Sequence, residues 1–217
     1  MIRVITGAGE RVGKTVACAV LARADHDRGL NVAYLKPVQS GLAPGEPGDA
    51  EFVRIAAMVN GSEGYRFETM LDPAVAAEQA ASAVSMDWLA NRTRAMSGTV
   101  DVLYVETTGG FLTPITGTMT MADLATQLGA EVIIVTRPGI GALNTAALTL
   151  EAVRSRALGF VGFVVSCWPE TPGVVERTTL ERLGRMGTIL GVIPEVGTID
   201  TRAPSSLPAG LELRRAS

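Results

Sequence analysis

The stretch Gly7-Ala8-Gly9-Glu10-Arg11-Val12-Gly13-Lys14-Thr15 constrains this chain more than any other. It follows a short β-branched run, Ile2–Thr6, and opens a segment with helical periodicity, Lys14–Arg28. A glycine-rich turn between a strand and a helix aims backbone N–H groups and the positive end of the helix dipole at one point, where an anion is held. In such a loop Lys14 reaches the β- and γ-phosphates of a nucleoside triphosphate, and the Thr15 hydroxyl binds Mg²⁺. The commonest spacing puts a glycine five positions before Gly13. Ala8 stands there and the glycine comes one place earlier, at Gly7, so the loop is one residue longer than that form.

The rest of the chain carries a matching rhythm. β-Branched runs recur at Asn31–Leu35, Val100–Val105, Glu131–Thr136, Phe160–Val165 and Thr188–Ile193. Their apolar residues run on without alternation, as in strands buried on both faces. Helical segments at Thr120–Leu128, Leu143–Leu158 and Val174–Met186 fall between them and end at Gly129, Gly159 and Gly187. The first helix ends in the same way at Gly29, where a left-handed residue caps a helix. This predicts an α/β fold: a parallel β-sheet with helices on both faces, the doubly wound architecture of P-loop NTPases, in a single domain over 1–217. The stretch 41–97 breaks the rhythm. It holds Pro44, Pro47 and Pro73 and helical patches at Asp49–Val59, Pro73–Ala83 and Ser85–Met96, with no strand pattern, and reads as a helical excursion from the sheet. The tail from Thr201 carries little signal.

Composition removes several classes. The chain is 47% hydrophobic and 19% charged with a net charge of −3, which excludes a disordered chain and lacks the basic footprint of a nucleic-acid binder. Cys18 and Cys167 are too few for a disulfide framework, so a reducing compartment is expected. The first residues lack the basic and apolar regions of a signal peptide. The longest apolar run, Ala157 to Val165, falls well short of the roughly 20 residues of a spanning helix. A cytoplasmic protein without a membrane partner is therefore expected.

Two further segments supply what a phosphate loop needs. Asp101 to Glu106 reads as a buried strand with Glu106 at its carboxyl end, where open α/β sheets bind ligands and an acid can hold Mg²⁺. Thr107, Thr108, Gly109 and Gly110 follow, and the glycines let backbone pass close to phosphate. Lys36 closes the second strand in Lys36-Pro37-Val38-Gln39-Ser40-Gly41. A second cation beside Lys14 suits an anionic group being phosphorylated, because charge builds on oxygens in flight. Taken alone, Lys36 reads as an edge lysine reaching water, and Asp49 as a helix N-cap. The single histidine, His26, falls late in the first helix on a solvated face.

In this order and spacing the chain, to about residue 194, resembles dethiobiotin synthetase: a loop ending Val-Gly-Lys-Thr, then Lys-Pro-Val-x-Ser-Gly, then an acid before Gly-Gly, then Gly-x-x-Asn near residue 141. The resemblance implies an ATP-dependent, Mg²⁺-dependent, homodimeric ligase that makes dethiobiotin from 7,8-diaminononanoate and CO₂. By position it assigns Thr15, Asp49 and Glu106 to Mg²⁺ and Arg11, Val12, Gly13, Lys14, Thr15 and Val16 to the phosphates. Thr107, Thr108 and Gly109 fall with the nucleotide site. Lys36 matches the catalytic lysine, beside Lys14, and Ser40 a substrate contact. Gly141, Ala142, Leu143 and Asn144 match the loop that receives the substrate carboxylate across the dimer. Ser166 and Cys167, with Pro194, Glu195 and Val196, fall where the family contacts the base.

Three departures are visible. Glu10-Arg11 replaces the family's Thr-Glu, and Glu106-Thr107-Thr108-Gly109-Gly110 replaces Glu-Gly-Ala-Gly-Gly. Ser166-Cys167 replaces an Asn whose amide reads adenine through a donor and an acceptor, so weaker discrimination among ATP, CTP and GTP is expected. Two rivals share the superfamily. A cobyrinic acid amide synthase usually adds a glutamine-hydrolysing domain, for which this chain has no room. A ParA/MinD-like ATPase switch usually has a second lysine near the start of its loop, where this chain has Thr6 before Gly7.

Overall fold

The computed structural model describes residues 1–195, 199–200 and 211–215. Its elements follow as β1 (Ile2–Gly7), α1 (Lys14–Asp27), β2 (Val32–Ser40), α2 (Asp49–Ala57), β3 (Asn60–Phe67), α3 (Pro73–Gln79), α4 (Met86–Ser97), β4 (Val102–Gly110), α5 (Met121–Leu128), β5 (Glu131–Thr136), α6 (Ala142–Arg154), β6 (Gly159–Trp168), α7 (Val174–Met186) and β7 (Ile189–Pro194). The strands form one sheet in the order β3-β2-β4-β1-β5-β6-β7. All their pairings are parallel. The doubly wound architecture is as expected.

The unalternating strands have the physical cause inferred for them. Successive side chains point to opposite faces, and both faces are covered. Ile5, Tyr34, Tyr104, Ile133 and Val135 pack with α1 and α2 on one face. Val4, Leu35, Leu103, Val105, Val132 and Ile134 pack with α5, α6 and α7 on the other. A smaller cluster joins Val38 and Phe67 to α3, α4 and α5.

The sequence expectations need four corrections. The stretch 41–97 is not wholly helical, since β3 lies within it and forms the margin of the sheet. Asn60-Gly61-Ser62-Glu63-Gly64-Tyr65-Arg66-Phe67 has no apolar run because a marginal strand is half covered, and only Phe67 is buried. A second correction concerns Lys36 and Glu106, which lie inside their strands rather than at the ends, as β2 runs on to Ser40 and β4 to Gly110. Asp49, thirdly, is the first helical residue of α2, and Gly48 is its N-cap. Finally, the left-handed residue after α6 is Ala157 (φ 53°) rather than Gly159, and Gly187 (φ 175°) is extended.

Strands β2 and β4 pair from Val32↔Val102 to Leu35↔Val105 and then part. The next residues, Lys36 and Glu106, open the crevice on which the site is built. Beyond β7 the chain returns: Leu211 is buried, and Arg214 forms an antiparallel bridge with Val192. Among the described residues no helix is long and apolar enough to cross a membrane.

Candidate active site

The glycine-rich loop joins β1 to α1 at the carboxyl end of the central strand. Gly7 has no room for a side chain: a Cβ there would lie 2.7 Å from the Gly9 carbonyl oxygen and 2.8 Å from Val12 Cγ2. Arg11 (φ 51°) and Gly13 (φ 82°) are both left-handed, and the latter is the N-cap of α1. Left-handed residues interleaved in a turn bring successive N–H groups to one concavity. The Ala8 N–H donates to the Val135 carbonyl at 2.9 Å, fastening the loop to β5. Lys14 is buried at the start of α1. Burial lowers its pKa, and the neighbouring Lys36 charge acts in the same direction, while Glu106 opposes them. An incoming polyanion reverses that penalty.

Glu106 is the hub of the crevice. Its side chain is 1% exposed, yet both oxygens are engaged. Oε1 accepts from Thr15 Oγ1 at 2.9 Å and from Lys36 Nζ at 2.5 Å, and Oε2 accepts from the Tyr34 hydroxyl at 2.7 Å. The Cys18 thiol, one turn along α1 from Thr15, is buried near this carboxylate. Lys36 also meets Asp49 Oδ2 at 2.9 Å. Burial works against the Lys36 charge, but the two carboxylates outweigh it and hold the ammonium above its ordinary range. Gln39 Oε1 accepts from the Asp49 N–H at 3.3 Å, so β2 sets the start of α2 as well as Lys36.

Glu106, Lys36, Asp49 and Gln39 line one cavity of about 560 Å³ with the loop residues Glu10, Arg11 and Gly13. Lys14, Thr15, Val16, Thr108 and Gly109 face the same cavity. The arrangement gathers two ammonium groups, a hydroxyl, two carboxylates and a helix N-terminus. It can bind a triphosphate and stabilise charge moving off its terminal phosphate.

A family model described as an AAA domain matches residues 3–203. The chain is 41% identical over 196 residues to the ATP-dependent dethiobiotin synthetase BioD of Frankia casuarinae, covering 88% of this chain and 82% of that one. It is 40% identical over 206 residues to the synthetase of Saccharopolyspora erythraea, covering 93% and 91%. The chain belongs to the dethiobiotin synthetase family. Solved structures share its fold at much lower identity. They include MinD in the MinC:MinD cell division complex of Aquifex aeolicus (17% identical, TM-score 0.58, 90% and 81% covered) and MinD with Mg-ADP from Pyrococcus horikoshii (18%, TM-score 0.56, 90% and 82%). At such identities the likeness is one of P-loop NTPase fold alone.

Not every residue carried over from the synthetase family meets in this cavity. Val12 turns its side chain into the core, and Thr107 is buried with its hydroxyl on the Gly109 carbonyl at 3.1 Å. Thr108, a departure from the family, donates to the Val38 carbonyl and spans β4 and β2. Ser40 ends β2 outside the cavity lining. The Ser166 hydroxyl donates to the Val12 carbonyl at 2.6 Å, is 3% exposed and does not line the cavity. Cys167, Pro194 and Glu195 lie near one another, the Glu195 N–H donating to the Trp168 carbonyl at 2.8 Å, but none lines the cavity. Val196 lies outside the described residues. Gly141, Ala142, Leu143 and Asn144 open α6, and Gly141, Leu143 and Asn144 with α7 border a separate apolar hollow.

Sequence reasoning missed Tyr34, Cys18, Gln39, Met70, Ile199 and Asp200. The first two lie beside Glu106 and the others line the cavity, except that Gln39 does so while also tying α2. Tyr34 was findable, since it stands two residues before Lys36 and a strand repeats its facing every two residues.

Proposed function

We propose that this chain is an ATP-dependent dethiobiotin synthetase acting on 7,8-diaminononanoate and CO₂. The observation that carries the reading is Lys36 held between Asp49 and Glu106 beside the phosphate loop, in a chain of this family. One amine of the substrate takes up CO₂ as a carbamate. A carbamate oxygen attacks the γ-phosphate, giving a carbamic–phosphoric anhydride and ADP. The second amine attacks the carbamate carbon, closes the ureido ring and expels phosphate. No side-chain nucleophile is required, and the residues serve by position and charge. Lys14 holds the β- and γ-phosphate oxygens. Lys36 faces the transferring group, and the loop N–H groups cradle the phosphates.

Thr15, Asp49 and Glu106 would hold Mg²⁺, since all offer the hard oxygen atoms this ion prefers. Among the described residues no group of three or more His, Cys, Asp or Glu is arranged to hold a metal ion by itself. Two carboxylates and a hydroxyl therefore leave the remaining positions to phosphate oxygens and water, as Mg²⁺ in nucleotide sites requires. When bound it neutralises charge on the β- and γ-phosphates.

A second groove, of about 260 Å³, runs beside the loop and is walled by Ala8, Gly9, Phe111, Leu112 and Leu148. Its apolar walls suit the hydrocarbon chain of diaminononanoate. The start of α6 would take the substrate carboxylate of the partner chain in a homodimer, where free N–H groups and the helix dipole favour an anion. The fully exposed Ile140 and the exposed Val174 and Val175 beside it support burial of this face in such a dimer. A cytoplasmic location agrees with the composition.

Incubation with diaminononanoate, bicarbonate, ATP and Mg²⁺, followed by mass detection, tests the reading. Dethiobiotin is the expected product, with ATP cleavage dependent on diaminononanoate. ATP cleavage that proceeds without it, and no dethiobiotin, would favour an ATPase switch instead.

A further inference from the structure

The Ser166 hydroxyl is buried 154 residues along the chain from the group it binds, the carbonyl of Val12, at 2.6 Å. It also lies 3.3 Å from the Thr136 carbonyl. It comes from β6, two strands away from β1, and reaches the loop across the end of β5. Val12 and Gly13 share one peptide plane, and the peptide is trans. In a trans peptide the C=O and the N–H point in opposite directions. A hydroxyl that holds the Val12 oxygen inward therefore turns the Gly13 N–H outward. Gly13 lines the cavity with Lys14 and Thr15, while Val12 does not.

Gly13 is shaped around the same side chain. A Cβ at Gly13 would lie 3.3 Å from Ser166 Cβ and 3.4 Å from Ser166 Oγ, and its φ of 82° already favours glycine. The loop is thus fastened at both ends: Ala8 to β5 by the backbone, Val12 to β6 by the serine. Neither fastening constrains the residues between them directly. Without the second, the peptide after Val12 is free to rotate its N–H out of the concavity.

We propose that Ser166 is a positioning residue for the phosphate loop, fixing the Val12–Gly13 peptide so that the Gly13 N–H faces the triphosphate. It serves the phosphates and not the base. The proposal rests on the reading that this cavity binds ATP.

Binding of ATP, CTP, GTP and inorganic tripolyphosphate to the full chain and to Ser166→Ala, measured by titration calorimetry, tests it. Expected is a loss of about tenfold in affinity, equal for all four ligands, as for a lost buried hydrogen bond whose partner is left unsatisfied. In turnover the loss should fall on KM for the nucleotide more than on kcat. Ser166→Cys keeps a weak donor in nearly the same volume and should recover part of the affinity. A loss confined to ATP would make Ser166 a base reader and overturn the proposal. Unchanged affinities with a lowered melting temperature would also overturn it, reducing the contact to a structural one. Should the unaltered chain bind none of the four, the nucleotide reading itself fails, a result separate from any difference between variants.

Discussion

A lysine shared by two carboxylates in a dry crevice cannot be exchanged for an uncharged residue without leaving the acids facing one another. Lys36→Gln is expected to lower turnover on the order of 10²-fold or more, the scale for losing one preorganised charge-stabilising group. Steady-state kinetics on protein with an unchanged circular dichroism spectrum would measure it. Near-normal turnover would remove Lys36 from the chemistry. At this scale the sequence was legible where a residue type is out of place for its surroundings: a lysine and a glutamate against buried strands, a lysine opening a helix. It was silent about Tyr34 and Cys18, which read as ordinary core residues. Their place beside Glu106 comes from the packing of β2 and α1 against β4, and no local pattern encodes that. It gave no sign of what Ser166 touches. The short side chain reaches a carbonyl of the neighbouring loop.

Elements buried on both faces announced themselves, and the one that is not went unseen. Strand β3 is rich in polar residues and glycine because it borders only β2 and because α2 and β2 press on it closely. A Cβ on Gly64 would strike the Pro37 carbonyl, so Gly64→Ala should cost about 1–3 kcal/mol through overpacking. In a chain of this size that corresponds to a melting temperature lower by roughly 2–4 °C per kcal/mol. Gly98→Ala serves as the control, since its nearest contact for a Cβ is the Ala95 carbonyl oxygen at 3.5 Å. Equal melting temperatures for the two variants would mean that β3 yields without cost. Helix ends were legible where a left-handed glycine follows, as at Gly129, and illegible after α6, where alanine takes that conformation.

The whole molecule buries two weak acids, Cys18 of α1 and Tyr34 of β2, between helix and sheet near the Glu106 carboxylate. Burial, and then the Glu106 charge, push both far above their ordinary values of 9.0 and 10.0. Unfolding lets them ionise at those ordinary values, so their contribution to stability is whole below about pH 9 and declines as pH rises through 9 and 10 toward the folded-state values. Denaturant midpoints at about pH 8 and pH 10.5 should show this fall, and Cys18→Ala combined with Tyr34→Phe should flatten it. An equal fall in the double variant would assign it to other groups. Assembly is tested by mixing two inactive variants, Lys36→Gln and Gly141→Trp. Recovered turnover is expected if one chain completes the site of the other, and none if each chain works alone. The returning tail has a consequence for storage. The Val192 N–H donates to the Arg214 carbonyl, and the Arg214 N–H to that of Val192, both at 2.9 Å. An apolar strand with free backbone groups is a template for any other chain that drifts against it. Here Arg214 occupies that template at Val192, so pairing by another chain at that point requires this bridge to open first. Arg214→Pro, which deletes one of the two donors, should therefore scatter more light on standing than the unaltered protein, well before any loss of fold is seen.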